Sequence, residues 1–453
     1  MTKRICRSKK SAGWLSCLLL LSISPCYSDT AENIQETPEN KQNVEQLLQS
    51  LTLENALKLA EISGSPEMDI AESEILESTA ELATVKSKYG VRIKAEAVPR
   101  YVYAIDASKG DDINDSYYFL STSKVLSDFG RTATLSEAAE ADVRAEAIDF
   151  VSFRFQRRLK IIKAYLDVLL SDKRYAVDNE NMVIKFLKYD KSRERQELGE
   201  VADVDLLELE SAYRSELINR MRSSNRQSES RAELAVLLNR PDQLPGELQP
   251  LRVDVSDIDL LEYDALLQKV LTLNPQLAAQ HERVKAAQSR LEHSRMSSRP
   301  VLDSAVELGN YERRYGEGGK WRVGVNLTIP FREGGRFKAE IAKRQAELKG
   351  EQARYQLMKN TLRKQVLELV QELEVLKLAQ ESAKVRLEYH DQHMDRSRAR
   401  YELELQTDLG NAAAGMTEAQ WDADRVKYNL LLTLGNIDAL LGIDPAKRFL
   451  ELN

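Results

Sequence analysis

Cysteine is almost missing from this sequence, and its three copies, Cys6, Cys17 and Cys26, all fall within the first 26 residues. Past Ser28 the chain has neither a disulfide framework nor a thiol nucleophile. Histidine occurs only four times, and no G-x-S-x-G, phosphate-loop or H-E-x-x-H pattern is present. Aromatic residues make up 6%, too few for a compact aromatic core. No run beyond the N-terminus reaches the roughly 18 apolar residues of a membrane-spanning helix. Any membrane crossing must therefore be made by β-strands or by an attached lipid. The formal charge is -7, which argues against nucleic acid as a partner. Neither catalysis nor a cofactor is expected.

Proline and glycine are scarce in a telling way. No proline lies between Pro99 and Pro241, or between Pro330 and Pro445, and Gly199 is the only glycine between Arg131 and Arg240. Glycine is the usual exit from a helix. The spacing therefore predicts helix from Arg131 to about Leu198, a turn at Gly199–Asp203, and a return to about Leu238. The stretch from Arg336 to about Leu405 contains one glycine, Gly350, and is rich in strong helix formers. Leu362, Val366, Leu369, Leu373, Leu376, Ala379, Ala383 and Leu387 recur at threes and fours, as on a coiled-coil seam. This second arm turns near Gln406–Gly410 and returns to about Leu441. Shorter helices are predicted over Thr52–Tyr89, with a break at Gly64–Pro66, and over Asp264–Met296.

The N-terminus reads as a secretory leader. Five basic side chains (Lys3, Arg4, Arg7, Lys9, Lys10) precede an apolar run from Trp14 to Ile23. Cleavage between Ser28 and Asp29 is one reading; lipidation of Cys26, which follows Pro25, is the other. Residues 29–50 are a polar, acidic lead-in.

Between the short and long helices the period switches to two. Trp321, Val323, Val325, Leu327 and Ile329 alternate with Arg322, Gly324, Asn326 and Thr328, and Leu302, Val306 and Leu308 alternate with Asp303, Glu307 and Gly309. That predicts a β-hairpin over about 301–330. A second is expected over about 91–126, with Val91, Ile93, Ala95, Ala97, Tyr101, Tyr103 and Ile105 on one face and a polar loop at Asp106–Asp115. Strands of about ten residues with one apolar face suit either a soluble sheet or a transmembrane barrel. Trp321, Tyr101, Tyr103, Tyr117 and Tyr118 are candidates for an interfacial girdle or for packing on the sheet. Four strands cannot close a barrel alone.

Three landmarks recur in one order at an offset of about 205. Ala56-Leu57 with Pro66-Glu67 matches Ala265-Leu266 with Pro275-Gln276. Asp128–Arg131 matches Glu333–Arg336, and Leu237–Asp242 matches Leu440–Pro445. The expected organisation is a leader (1–28), the lead-in (29–50), a first repeat (51–250, with its long helical hairpin at 131–240) and a second repeat (251–453, with its own at 336–442).

These motifs, with Pro330–Arg336, Val125–Arg131 and the tip segments Arg195–Leu207 and Arg400–Gly410, resemble the TolC-type outer-membrane factors, the outer membrane efflux protein family. The resemblance covers about Leu51 to Pro445. It implies a mainly α fold with a small β part: duplicated long helical hairpins plus four transmembrane strands, assembled as a trimeric β-barrel and α-barrel channel-tunnel. It further implies a homotrimer in the outer membrane of a bacterial cell, with lipid around the barrel and a helical tunnel in the periplasm. The tips would meet a periplasmic adaptor, or membrane fusion protein, linked to an inner-membrane transporter of RND, ABC or MFS type. Such a duct serves a tripartite efflux pump or type I secretion and carries out no chemistry. The rival reading is a periplasmic coiled-coil adaptor or scaffold without a barrel.

The residues so implicated are Gly199, Val201, Ala202, Asp203 and Asp205 at the first tip and Leu405, Thr407, Asp408 and Leu409 at the second. Trp321, Val323, Val325, Leu327 and Ile329 form the lipid-facing strand. Carboxylates that line the closed entrance in this family fall here on Gly410 and Ala413, with Asp408 as a substitute. His390 and His393 stand one helical turn apart, as a metal pair does, but their charged surroundings read as a solvated face, and no metal is expected.

Overall fold

The structure is a computed structural model in which residues 50–62, 64–103, 112–114, 116–251, 262–311, 320–403 and 409–451 are described. The leader, Cys26, Ser28 and Asp29 lie outside the described residues, as do Leu405, Thr407 and Asp408 at the second tip. The first half runs β1 (Ser50–Leu51), α1 (Leu53–Ile62), α2 (Pro66–Lys86), β2 (Arg92–Val98), β3 (Tyr101–Tyr103), β4 (Asp112–Asn114), β5 (Tyr117–Ser127), α3 (Arg131–Glu197), α4 (Asp203–Leu237) and β6 (Glu247–Leu248). The second half follows with α5 (Tyr263–Leu273), α6 (Pro275–Arg295), β7 (Val301–Tyr311), β8 (Trp321–Thr328), α7 (Arg336–Glu402), α8 (Leu409–Leu440) and α9 (Pro445–Glu451).

Both α3 and α7 have 67 residues, on the order of 100 Å each. On α7 the seam residues Leu362, Val366, Leu373, Leu376 and Ala383 are buried, joined by Val370, while Leu369, Ala379 and Leu387 are half-buried. Helix α3 packs on α4, α6, α8 and α2, whereas α7 packs on α8, α6 and α5. The layer therefore has α4 towards one side and α7 towards the other.

Some features depart from the sequence reading. The helix expected over Asp264–Met296 is broken at Asn274, which is extended (φ -60, ψ 122) and accepts a 2.9 Å hydrogen bond from the Leu277 N–H. Proline disfavours helical backbone in the residue before it, and asparagine is a strong N-cap. Both halves thus break just before a proline, at Ser65 and at Asn274. Part of the expected Asp106–Asp115 loop is strand: Asp112–Asn114 pairs with Tyr101–Tyr103. Also unforeseen are the parallel β1–β6 pair and α9. The Tyr165 hydroxyl lies 2.8 Å from both the Leu51 and Gln249 carbonyls, beside that strand pair. On α9, Phe449 is fully buried against Gly435, where no Cβ stands in its way. The buried Arg157 guanidinium donates to the carbonyls of Ala60 (3.3 Å) and Leu237 (3.0 Å), tying the ends of α1 and α4 to α3.

Strand passes into long helix through the same backbone elbow in both halves. Phe129 and Gly130 have φ of 55 and 91, and Gly334 and Gly335 have φ of 56 and 93. Consecutive left-handed residues are costly for any side chain but glycine, so Phe129 needs support. Buried Asp128 accepts from the N–H groups of Thr132 (2.6 Å) and Gly130 (3.2 Å) and from the Tyr89 hydroxyl, and Arg299 holds the Phe129 carbonyl at 2.6 Å. The helix C-termini match too. Asn239 (φ 57) and Gly442 (φ 73) each donate back to the third carbonyl before them, and the next residue donates to the fifth before it. This is the two-bond Schellman closure.

Burial alone would raise the Asp128 pKa, but the hydrogen bonds from Thr132, Tyr89 and Gly130 outweigh it and hold the group below the usual aspartate range. Asp128→Ala is expected to cost about 2 kcal/mol at neutral pH. Because the folded pKa is depressed, that difference is complete above the ordinary aspartate pKa and closes as pH falls through the folded value. Thermal melts of parent and variant at pH 7 and pH 3 check both points.

A two-faced sheet and a helical tip as the candidate functional site

Four strands form one antiparallel sheet in the order β2-β5-β7-β8. Its register sorts the side chains completely, since directly paired residues share a face. One face carries the rows Ala95–Leu120–Leu308–Trp321 and Ile93–Thr122–Val306–Val323, and beyond them Lys124–Ser304–Val325, where a single lysine enters the face, and Leu302–Leu327. Most of this face is exposed, Trp321 by 70%, Val323 by 61% and Ile93 by 69%, while Thr122, Leu302 and Ser304 are half-buried. Ile329 is exposed as well and follows the end of β8. Among the described residues, then, no apolar partner packs on this side of the sheet, as a soluble sheet would require.

The other face carries Lys94–Ser121–Glu307–Arg322, Glu96–Phe119–Gly309 and Asp303–Asn326. Two of its charge pairs are matched: Lys94 lies 2.5 Å from Glu96, and Arg322 lies 3.7 Å from Glu307. Asn326 donates to Asp303 at 3.2 Å. The register splits the proposed aromatic girdle. Tyr118 joins the apolar face, but its neighbour Tyr117 falls on the polar one, because successive strand residues point to opposite sides. Tyr101, on β3, is exposed.

At the far end of α3, Gly199 (φ 78) closes the helix. Its N–H donates to the Gln196 carbonyl at 2.8 Å and that of Glu200 to Arg195 at 2.9 Å. Arg195 meets Glu200 at 3.0 Å and Gln196 donates to Asp203 at 2.8 Å, bracing the turn. Ala202 is extended and starts α4, with Asp203 and Asp205 in the first turn, where carboxylates suit the positive helix end. The turn is tight and polar in its bracing, yet Leu198, Val204 and Leu207 around it are 76, 75 and 63% exposed. Periodicity had not singled out these three. Of the second tip, Leu409 is described, at the start of α8. Gly410 lies against Ile184 of α3 and Ala413 is half-buried.

His390 departs from its expected solvated face. Its ring is half-buried over Gly415 of α8, and a Cβ there would come within 2.7 Å of Nδ1. Among the described residues, no three His, Cys, Asp or Glu side chains are grouped to hold a metal. No described helix is long and apolar enough to cross a membrane.

Comparison with known proteins agrees with the geometry. Residues 266–443 match the family model described as outer membrane efflux protein. A comparison with curated protein sequences finds no match. The fold is similar to that of the Campylobacter jejuni CmeC outer membrane channel, at 16% identity and a TM-score of 0.71 over 88% of each chain. It is also similar to the open state of the Neisseria gonorrhoeae MtrE outer membrane channel (16% identity, TM-score 0.67, 86% of this chain and 89% of that one). The outer membrane protein VceC of Vibrio cholerae matches at 15% identity and a TM-score of 0.65, over 84% of this chain and 96% of its own.

The face assignment predicts opposite outcomes for adjacent residues. On the expectation that this face meets lipid, Val323→Arg costs about 2–4 kcal/mol at the centre of a bilayer. Gly324→Ser points to the other side, where a Cβ meets nothing within 4 Å. Heat-modifiability on gels after membrane extraction should show loss of the assembled species for Val323→Arg and its retention for Gly324→Ser.

Proposed function

We propose that this chain, whose residues 266–443 match the outer membrane efflux protein family, is the exit duct of a bacterial export system, set in the outer membrane as a homotrimer. The observation that carries the reading is the exposed apolar face of a four-stranded sheet whose opposite face is charged and paired. Such alternation belongs to a strand wall with lipid on one side and water on the other. The strands β2 and β8 are the outer edges of this sheet, and open edges at membrane depth need partners. Three copies would supply twelve strands and close the wall.

The helices call for the same neighbours. On α4, Val204, Leu207, Ile218 and Met221 lie on one heptad stripe and are all more than half exposed. On α7, Val375, Leu378, Val385 and Tyr389 do likewise. Seams at heptad spacing are made for another helix, and these two lie towards opposite sides of one layer. Ring closure puts one against the other between copies. The two repeats, 51–250 and 251–453, then each contribute two strands and one helical hairpin to the wall.

On this reading solutes pass through the lumen without chemical change. The tips around Gly199–Asp205 and Leu405–Leu409 dock a periplasmic adaptor, which joins the duct to an inner-membrane transporter of RND, ABC or MFS type. Trp321, Val323, Val325, Leu327 and Ile329 face lipid. The exposed apolar sheet face counts against a periplasmic scaffold with no barrel.

Detergent-extracted protein is expected to form conducting pores in planar bilayers. Release of the native protein from membranes by salt alone, with no pore activity, would overturn the reading. Val385→Asp or Met221→Asp buries a carboxylate in the proposed seam and should convert an SDS-resistant trimer to monomer while helical circular dichroism is kept. Ala202→Cys with a bifunctional crosslinker should capture a periplasmic adaptor; recovery of the duct alone would sink the docking assignment.

A further inference from the structure

The helical layer is interrupted at mid-height. Helix α6 begins where α8 ends: the Asn274 side chain donates to the Leu440 carbonyl at 3.0 Å, and a Cβ on Gly442 would lie 3.3 Å from the Leu273 carbonyl. Both helices pack on α3 at one side and on α7 at the other. Set end to end, they leave a cleft of about 330 Å³ between the two long arms, within the range of small-molecule sites.

The lining of this cleft is rich in carboxamides. Gln156, Gln276, Gln365 and Asn436 surround it with Ser152, over a floor of Leu159, Leu369 and Leu440. These amides make no side-chain hydrogen bond among the described residues, and neither does the Ser152 hydroxyl, although Ser152 is only 7% exposed. A buried hydroxyl is ordinarily paired, and here the partner has to come from within the cleft. Asn274 also lines it, but its amide is spent on Leu440 and Leu277. The carboxylate of the lining, Glu368, lies 3.4 Å from Lys364 one turn away, so its charge is balanced. No aromatic ring takes part.

The helix wheel gives the side on which the cleft opens. Tyr165 reaches the β1–β6 pair, and Arg158 pairs with Asp444 just before α9. Gln156 lies about two and a half turns from Tyr165 and so on the opposite face of α3, at the head of an exposed stripe with Lys160 and Lys163. Asn436 is exposed between buried Gly435 and Ile437, and it is Gly435 that meets Phe449 of α9. A ring of such layers has to carry its extra elements outside, since inside they would fill the bore.

We propose that this cleft binds neutral polyhydroxylated solutes, such as short sugars, on the lumen wall of the duct. A carboxamide offers an acceptor and donors side by side, which suits neighbouring hydroxyls, while the leucine floor takes the C–H face of a sugar ring. An ion gains little from a balanced lining, and a flat aromatic finds no ring to stack on. The lumen placement rests on the duct reading, whereas the binding does not, and the test separates the two.

The detergent-extracted full chain is titrated by calorimetry with maltose and with tetraethylene glycol, a polyether that has hydroxyls only at its ends. Gln156→Leu and Asn436→Leu, both at exposed positions, should each weaken maltose binding about three- to tenfold with helical circular dichroism unchanged. Tetraethylene glycol should bind neither parent nor variant. In planar bilayers maltose should lower the parent's conductance more than the polyether does, and the leucine variants should lose that excess. Maltose that binds parent and both variants alike, or binds none of them, overturns the site. Displacement of maltose by tetraethylammonium would make Glu368 the recognition element and overturn the choice of a neutral solute. Binding without any effect on conductance overturns the lumen placement alone. Absence of conductance from the parent overturns the duct reading, while calorimetry still decides the cleft.

Discussion

A helix on the order of 100 Å is covered by its own chain along only one narrow seam, and most of this molecule follows from that constraint. On α7 the buried positions are spaced three and four apart along one line, between Leu362 and Ala383. Such a line is satisfied by a single neighbouring layer. The remaining surface of each long helix must be wet or must meet another molecule. The exposed residues are not scattered: Val375, Leu378, Val385 and Tyr389 form a second line with the same heptad period. Two seams on one helix, only one of them filled, describe a member of a wall.

The sheet obeys the same logic with a period of two. Its faces are fixed relative to the helices by the elbows, where two consecutive residues take left-handed backbone before the first helical turn. The pair Phe129-Gly130 repeats the φ angles of Gly334-Gly335 to within a few degrees. That agreement is more demanding than the sequence match, since phenylalanine resists the conformation that glycine adopts freely. The first elbow compensates with side chains that the second does without, above all Asp128 and Arg299. Geometry was kept while the residues diverged.

The long arms and the alternating strands were legible in the sequence because each depends on local pattern: absence of proline and glycine, spacing of three and four, or spacing of two. What was not legible depends on contacts distant in sequence. The β1–β6 pair joins residues nearly 200 positions apart through two rungs, too short a run to leave a period. Helix α9 is held by Phe449 over Gly435, a fit between one ring and one missing methyl group. His390 sits among charged neighbours, and only the bare Gly415 on another helix draws its ring inward. Two misreadings were avoidable. Pro275 served as a marker of the repeat, although a proline after asparagine also signals a helix start. Tyr117 and Tyr118 are adjacent in a strand and so never shared a face.

The two faces also decide what the sheet can select. On the duct reading, the charges of the lumen face neutralise one another, Lys94 with Glu96 and Arg322 with Glu307. A wall of balanced pairs exerts little net field on a passing ion, so the strand segment is a weak filter for sign of charge. Ion pairs of this kind still keep the wall wet and unreceptive to apolar solutes along most of its length. On that reading, charge selection has to come from the helical part, where carboxylates and guanidinium groups outnumber rings.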